Sequence, residues 1–349
     1  NSINVGHQPD FIWIKARNEA HSNYLFDTVR GLSNGNWLIS DTADGEETAV
    51  DQQFNITSTG IDLLTGYNAT NNLNTTYVGF FWKAGGSPSG ATSATGSAKR
   101  INSSGTQDDT SCDAIASAAT SAGASNVITP TLMSIGVKQG FSIITYSQSS
   151  TNASTIPHGL TKRPDFLIIK QTNATNPWII WHKSFSSLTN DYIRLNTTGA
   201  KDSNTNFWGG THDDNVIYLG SGTTSAIGSN GNDYVCYAFT SIEGYSAFGS
   251  FTSLSYPFIF LGFKPAWVMA KRTDTGTSNT SWIIFDNARD PRNAMTKTLY
   301  ANRSAAEGYR GDGTTVNPDI AIDFLSNGIK VRTNRDEIAG TVVYMAFSE

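Results

Sequence analysis

Charge is scarce in this chain. Asp, Glu, Lys and Arg make up 15% of its 349 residues, and the net charge is −5. Ordinary globular domains carry about a quarter charged residues. Lys and Arg nowhere gather into a stripe, so a nucleic-acid surface held by phosphate contacts is not expected. Cysteine is nearly absent. Cys112 lies in a low-complexity stretch and Cys236 inside an apolar run, which argues against a disulfide framework and leaves no zinc spacing. Long hydrophobic runs are missing too. The longest, near Tyr256 to Phe263, is far too short to cross a bilayer, so no membrane insertion is expected. The first residues, Asn1-Ser2-Ile3-Asn4, contain no Met and no basic or apolar segment of a secretion signal. They read as the cut edge of a longer polypeptide, or as a boundary where order begins.

Gly, Ser, Thr and Asn fill the space that charge leaves. Helix formers such as Leu, Glu and Lys are sparse, while Val, Ile, Thr and aromatics come in short runs between turn residues. That pattern favours strands over helices. Nine Asn-x-Ser/Thr triplets occur, among them Asn55, Asn74, Asn196 and Asn302. A chain this rich in Asn, Ser and Thr produces them by chance, and they carry meaning only in a glycosylating host.

One strand recurs three times. Pro9-Asp10-Phe11-Ile12-Trp13-Ile14-Lys15 returns as Pro164-Asp165-Phe166-Leu167-Ile168-Ile169-Lys170, and more loosely as Pro265-Ala266-Trp267-Val268-Met269-Ala270-Lys271. Each copy is apolar on both faces and is expected to be a central strand covered on both sides. Each is followed by a second strand (Tyr24–Asp27, Trp178–His182, Trp282–Asp286), a shorter third, a hairpin, and a closing aromatic strand (Tyr77–Trp82, Tyr234–Phe239, Val342–Phe347). Six to eight short strands per roughly 100 residues mark a β-sandwich.

The expected fold is therefore all-β, with tandem antiparallel sandwich repeats of jelly-roll or lectin-like type and very little helix. Repeat one spans 1–83, repeat two 136–243 and repeat three 244–349. Residues 84–135, rich in Gly, Ser, Ala and Thr, read as a linker or long loop, with a weak helix signal at Ala114 to Ala122. Repeats two and three open with a further strand, at Gly140–Tyr146 and Gly244–Phe248. Repeat one lacks it, so the strand lies upstream or another chain supplies it.

Positions shared by all units belong to the fold, and unit-specific positions are where function is sought. Lys15, Lys170 and Lys271 end the central strands. Asp27 and Asp286 share one position on the next strand, with His182 in unit two, so a structural Lys–Asp contact across strands is expected. Asp10 and Asp165 read as turn caps. The five histidines, His7, His21, His158, His182 and His212, fall into no metal or nucleophile spacing. Neither a metal site, a cofactor nor a catalytic residue is assigned. The acidic groups Asp41-Asp44-Glu46-Glu47 and Asp213-Asp214 read as solvated loops rather than calcium sites. The candidate ligand-binding residues sit in two loops unique to single units: Trp208, His212, Asp213 and Asp214, and Tyr309, Arg310 and Asp312. Exposed rings there would stack on a pyranose while polar neighbours bond its hydroxyls.

Five stretches carry a family resemblance: the Pro-Asp-Phe strands, Tyr24–Gly31, Gly140–Ile144, Ile242–Gly249 and Ile322–Gly328. They are similar to a repeat family of virion proteins in tailed bacteriophages of marine bacteria and cyanobacteria. The resemblance covers nearly the whole chain except about 84–130. It implies a tail fibre, tail spike or other structural virion protein, working extracellularly on the particle surface. A homotrimer, contacts with other virion proteins and host-surface glycan attachment are the expectations that follow. The alternatives are a capsid fibre without receptor binding, or a polysaccharide depolymerase whose carboxylates meet in a groove.

Overall fold

In the computed structural model the described residues are 2–31, 36–48, 53–64, 70–88, 96–221, 226–253, 256–308, 320–333 and 335–348. The chain is built almost wholly from antiparallel sheets, three large and three small, with one helix among the described residues. Each unit pairs one large sheet with one small one.

In unit one the large sheet runs Glu47–Thr48, Asn36–Ile39, Asn23–Asp27, Phe11–Ala16, Tyr77–Trp82. Unit three, read from the opposite edge, shares four of these strands and adds an opening strand in front: Ser246–Ser253, Gly340–Phe347, Trp267–Arg272, Ile283–Asp286, Leu299–Tyr300. Unit two has the same core, with the opening strand Phe141–Ser147, the closing strand Asp233–Phe239 and the central strand Phe166–Gln171 side by side.

The central strands are buried on both faces, as their composition predicts. Period-2 alternation sends the two faces to different cores. In unit one, Ile12, Ile14 and Phe26 pack with Phe54 and Ile61 of the small sheet. Phe11, Trp13 and Leu25 point the other way, into a core shared by all three units. Unit three divides likewise: Val268 and Ala270 go to its own sandwich, Trp267 and Met269 to the shared core. The middle of the shared core is aromatic. Trp82 lies 5.4 Å from Trp267 and 5.8 Å from Phe347, Phe239 lies 6.0 Å from Phe347, and Phe11 lies 4.7 Å from Tyr237.

The units close into a ring through one repeated set of hydrogen bonds. The strand registers make Asn23, Trp178 and Trp282 equivalent, and likewise Ile39, Arg194 and Tyr300. Trp178 Nε1–H donates to Ile39 O at 2.9 Å, and Trp282 Nε1–H to Arg194 O at 2.9 Å. Asn23 Nδ2–H donates to Tyr300 O at 3.1 Å. Unit two thus grips unit one, unit three grips unit two, and unit one grips unit three. Each such bond is worth about 1 kcal/mol net. Within each unit, a side-chain oxygen two residues past that unit's own acceptor receives the backbone N–H of its gripping residue: Asp41 from Asn23 at 2.7 Å, Asn196 from Trp178 at 3.1 Å, Asn302 from Trp282 at 2.9 Å. Asn196 and Asn302 are therefore strand caps, and the Asn302 side chain is buried.

The expected Lys–Asp contact does not form. Lys15 pairs with Asn23 in the ladder while Asp27 lies opposite Phe11, four residues away. Each lysine instead turns its ammonium to backbone carbonyls: Lys15 to Ala16 O and Ser304 O, Lys170 to Gln171 O, Lys271 to Arg272 O and Thr198 O. Asp27 and Asp286 hold Arg30 and Arg289, three residues on, at 2.6 and 2.5 Å. A buried guanidinium satisfies a carboxylate with a rigid fork, which a lysine cannot do.

Residues 84–135, expected as linker or loop, instead extend the unit-two sheet. Leu132–Gly136 pairs antiparallel with the opening strand, and Ser97–Ile101 pairs parallel with Leu132–Gly136. The helix spans Cys112–Ser121. Ser111 caps it by accepting the Ala114 N–H, and Cys112, Ala116 and Ala119 form its buried face. Small residues suffice there because the neighbouring sheet supplies the apolar surface. The segment's own low hydrophobicity concealed it.

Candidate functional site

The unit-two loop 206–214 folds inward. Gly209 has φ +75, and at Gly210 a Cβ would sit 2.3 Å from the Tyr218 ring. Only glycine allows that return. Trp208 is consequently 0% exposed, and its Nε1–H donates to Asp191 O at 2.8 Å. The expectation of an exposed sugar-stacking ring at Trp208 is corrected: a large ring beside other apolar groups gains more from burial than from solvent. Tyr309, Arg310 and Asp312 lie outside the described residues.

His212 is buried between Trp181 and Trp208, with ring centroids at 4.5 and 5.0 Å. Its Nδ1 accepts the Tyr218 N–H at 3.1 Å, which assigns the proton to Nε2. That Nε2 is buried without a hydrogen-bond partner. Burial lowers the His212 pKa to about 3, with His158 and Arg163 adding to the effect. His158, also fully buried and lowered to about 4 by desolvation, accepts the Leu160 N–H at Nδ1 and donates from Nε2 to Asp213 O at 3.2 Å. It anchors the acidic pair from beneath.

Asp213 and Asp214 remain at the surface of this assembly. With His212, Lys162, Arg163 and Asp165 they line an open cleft of about 630 Å³. Asp213 Oδ1 accepts the Asn215 and Val216 N–H groups at 2.8 and 2.9 Å, and Asp214 Oδ1 accepts the Arg163 N–H at 2.8 Å. Asp165 Oδ1 lies 3.2 Å from Lys183 Nζ, and its Oδ2 accepts the Ser241 N–H at 2.7 Å. The turn-cap expectation is corrected: Asp165 holds the chain just past the closing strand of its unit rather than its own turn, and Asp10 does the same in unit one with the Ala84 N–H at 2.7 Å. The other acidic group is dispersed: Asp41 faces Asn23, Glu46 faces Arg30 and Glu47 faces the Trp37 indole.

The structure thus brings His212, Asp213 and Asp214 together and removes Trp208 from the set. Sequence reasoning missed Lys162, Arg163 and Asp165. A signal was present: only unit two sets two adjacent cations just ahead of its central strand, where unit one has His7-Gln8 and unit three Phe263-Lys264.

Fold and cleft together define a three-unit β-sandwich protein with a mixed-charge surface cleft in its middle unit. The chain belongs to the family described as a domain of unknown function, DUF7483, whose model matches residues 1–106 and 96–349. No curated protein and no solved structure matches it.

Proposed function

We propose that this chain is a structural component of a tailed-phage virion, of tail-fibre or tail-spike kind, whose β ring presents the unit-two cleft to a host-surface glycan. The observation that carries the reading is the recurrence of one hydrogen-bond set at all three unit contacts. Such closure makes a rigid body, which suits a particle component under load. The resemblance of the repeats to phage proteins supplies the setting, and the cleft supplies the chemistry. Sugar hydroxyls both donate and accept. Lys162 and Arg163 can donate to them, and the second oxygens of Asp213 and Asp214 can accept. Weak single sites gain avidity from many copies on one particle.

The test is a glycan array probed with the parent chain, Arg163→Ala and Asp214→Ala. At least one glycan is expected to bind, with a tenfold or greater loss in both variants at unchanged melting temperature. Absence of any bound glycan sinks the attachment role. Labelled antibody that decorates capsids and not tails turns the reading to a capsid component without receptor function.

A further inference from the structure

Among the described residues, unit one has no counterpart of the opening strand that units two and three possess, and no described strand fills its place. The opening strands pair with their closing strands as Ser142↔Ala238 and Ile144↔Cys236 in unit two, and as Ala247↔Ala346 and Gly249↔Tyr344 in unit three. The equivalent closing-strand residues in unit one are Phe81 and Gly79, because Trp82, Phe239 and Phe347 occupy one register position. Tyr77–Trp82 is the last strand of its sheet. The Arg17 N–H donates to Thr76 O at 2.8 Å, continuing the ladder with the central strand. By antiparallel alternation Val78, Phe80 and Trp82 bond to that strand, and the N–H and C=O groups of Gly79 and Phe81 face the open edge.

A cavity of about 200 Å³ lies beside this edge, walled by Phe80 and Trp82 of unit one and by Tyr245, Trp267, Asp286 and Phe347 of unit three. The corresponding wall residues in the other units are covered by opening strands. Phe141 lies 6.1 Å from Phe11, and Phe248 lies 5.9 Å from Phe166. Trp267, the third member of that set, faces the cavity, and its Nε1 is buried without a hydrogen-bond partner.

We propose that this edge is a strand-acceptor site. Its occupant is an extended peptide segment from outside residues 1–349 with the chemistry of the opening strands: glycine, then an aromatic, then small and β-branched residues. The segment adds antiparallel to Tyr77–Trp82, bonds its backbone to Gly79 and Phe81, and sets its aromatic against Trp267. Main-chain bonds supply the affinity of such strand addition, and the pocket supplies its specificity. The site is independent of the unit-two cleft and of any glycan.

The probe is a synthetic peptide with the sequence of Gly140–Ser147, titrated into the purified chain. Expected are saturable one-to-one binding, a change in tryptophan fluorescence from Trp82 and Trp267, and amide-exchange protection at Gly79 and Phe81. A peptide with proline in place of its third residue should bind at least tenfold more weakly. Two acceptor variants should do the same. Gly79→Pro removes an outward N–H at a sheet edge that tolerates proline. Ala288→Arg fills the slot from an exposed position and leaves the strand ladder intact. Lack of saturable binding by the folded parent chain overturns the proposal. So does binding unchanged in both variants. A concentration-dependent dimer protected at the same amides overturns it too, by giving the slot to a second copy.

Discussion

The closing strands of units one and two are the same element in two situations. Asp233–Phe239 is paired along both edges, by the opening and the central strand. Among the described residues, Tyr77–Trp82 is paired along one. Both carry a terminal aromatic into the shared core, yet Phe239 is 1% exposed and Trp82 6%. Backbone pairing and side-chain packing are therefore separable here. The shared core holds an incomplete unit in place without the strand that completes its siblings. Units two and three then measure what that strand contributes.

Protonation breaks the comparison most severely. The three buried histidines, His158, His182 and His212, all belong to unit two, and burial lowers their pKa values to about 4, 4 and 3. Their unfolded value is 6.5, so the unfolded chain takes up protons first. The stability they confer is complete above pH 6.5 and declines as pH falls toward 4. At full protonation the loss is on the order of 3–5 kcal/mol per histidine, largest at His212. Guanidinium midpoints at pH 7, 5.5 and 4.5 should drop in step, with amide protection lost first in unit two. A flat midpoint would contradict this. The lysines repeat in every unit, and burial lowers Lys15, Lys170 and Lys271 to about 8, 8 and 7 from 10.5. Their charged form is disfavoured in the fold, so stability rises from about pH 7 to 10.5, with a contribution from each unit.

Truncating the paired aromatics sharpens the comparison next. Phe239→Ala should cost about 3–5 kcal/mol, as expected for a fully packed ring. Trp82→Ala should fall at or below the lower end of that range, because the open slot beside it lets neighbours relax into the space. Denaturant titration of both variants decides it, and an equal or larger loss at Trp82 would count against the open slot.

The smallest effects come from the ring contacts. Trp178→Phe and Trp282→Phe trim a buried ring and remove the indole donor to Ile39 O and Arg194 O, for a loss of about 2 kcal/mol each. Asn23→Ala should cost more, because Asn23 also accepts the Trp13 indole N–H at 3.0 Å and donates to Arg303 O at 2.9 Å. Thermal melts rank the three, and Asn23→Ala as the mildest would refute the equivalence.

Much of the fold was legible because alternation and the repeated Pro-to-Lys strand encode it directly. The central strands, the closing strands and the opening strand that unit one does not show among the described residues all follow from period and position. What escaped has physical causes. Ser97–Ile101 and the helix after it carry little hydrophobic signal, since the adjacent sheet buries them. Trp208 looked like a loop ring because nothing in the local pattern says that Gly209 and Gly210 turn it inward. Lys15 was assigned a carboxylate because sequence position gives no register, and the ladder sets Asp27 four residues from it. The cleft is half visible in the sequence: Asp213 and Asp214 stand out as an acidic pair, while Lys162 and Arg163, about fifty residues earlier, come beside them only through the fold.

The ring contacts read the acceptor residue only through its main-chain oxygen. Ile39, Arg194 and Tyr300 share no side-chain chemistry, yet each completes the same junction. The bond itself consequently does not depend on which side chain stands at the acceptor position. Each unit can diverge in its outward side chains without renegotiating its seat beside the next, so the assembly can vary the surface it shows while its interior geometry stays fixed.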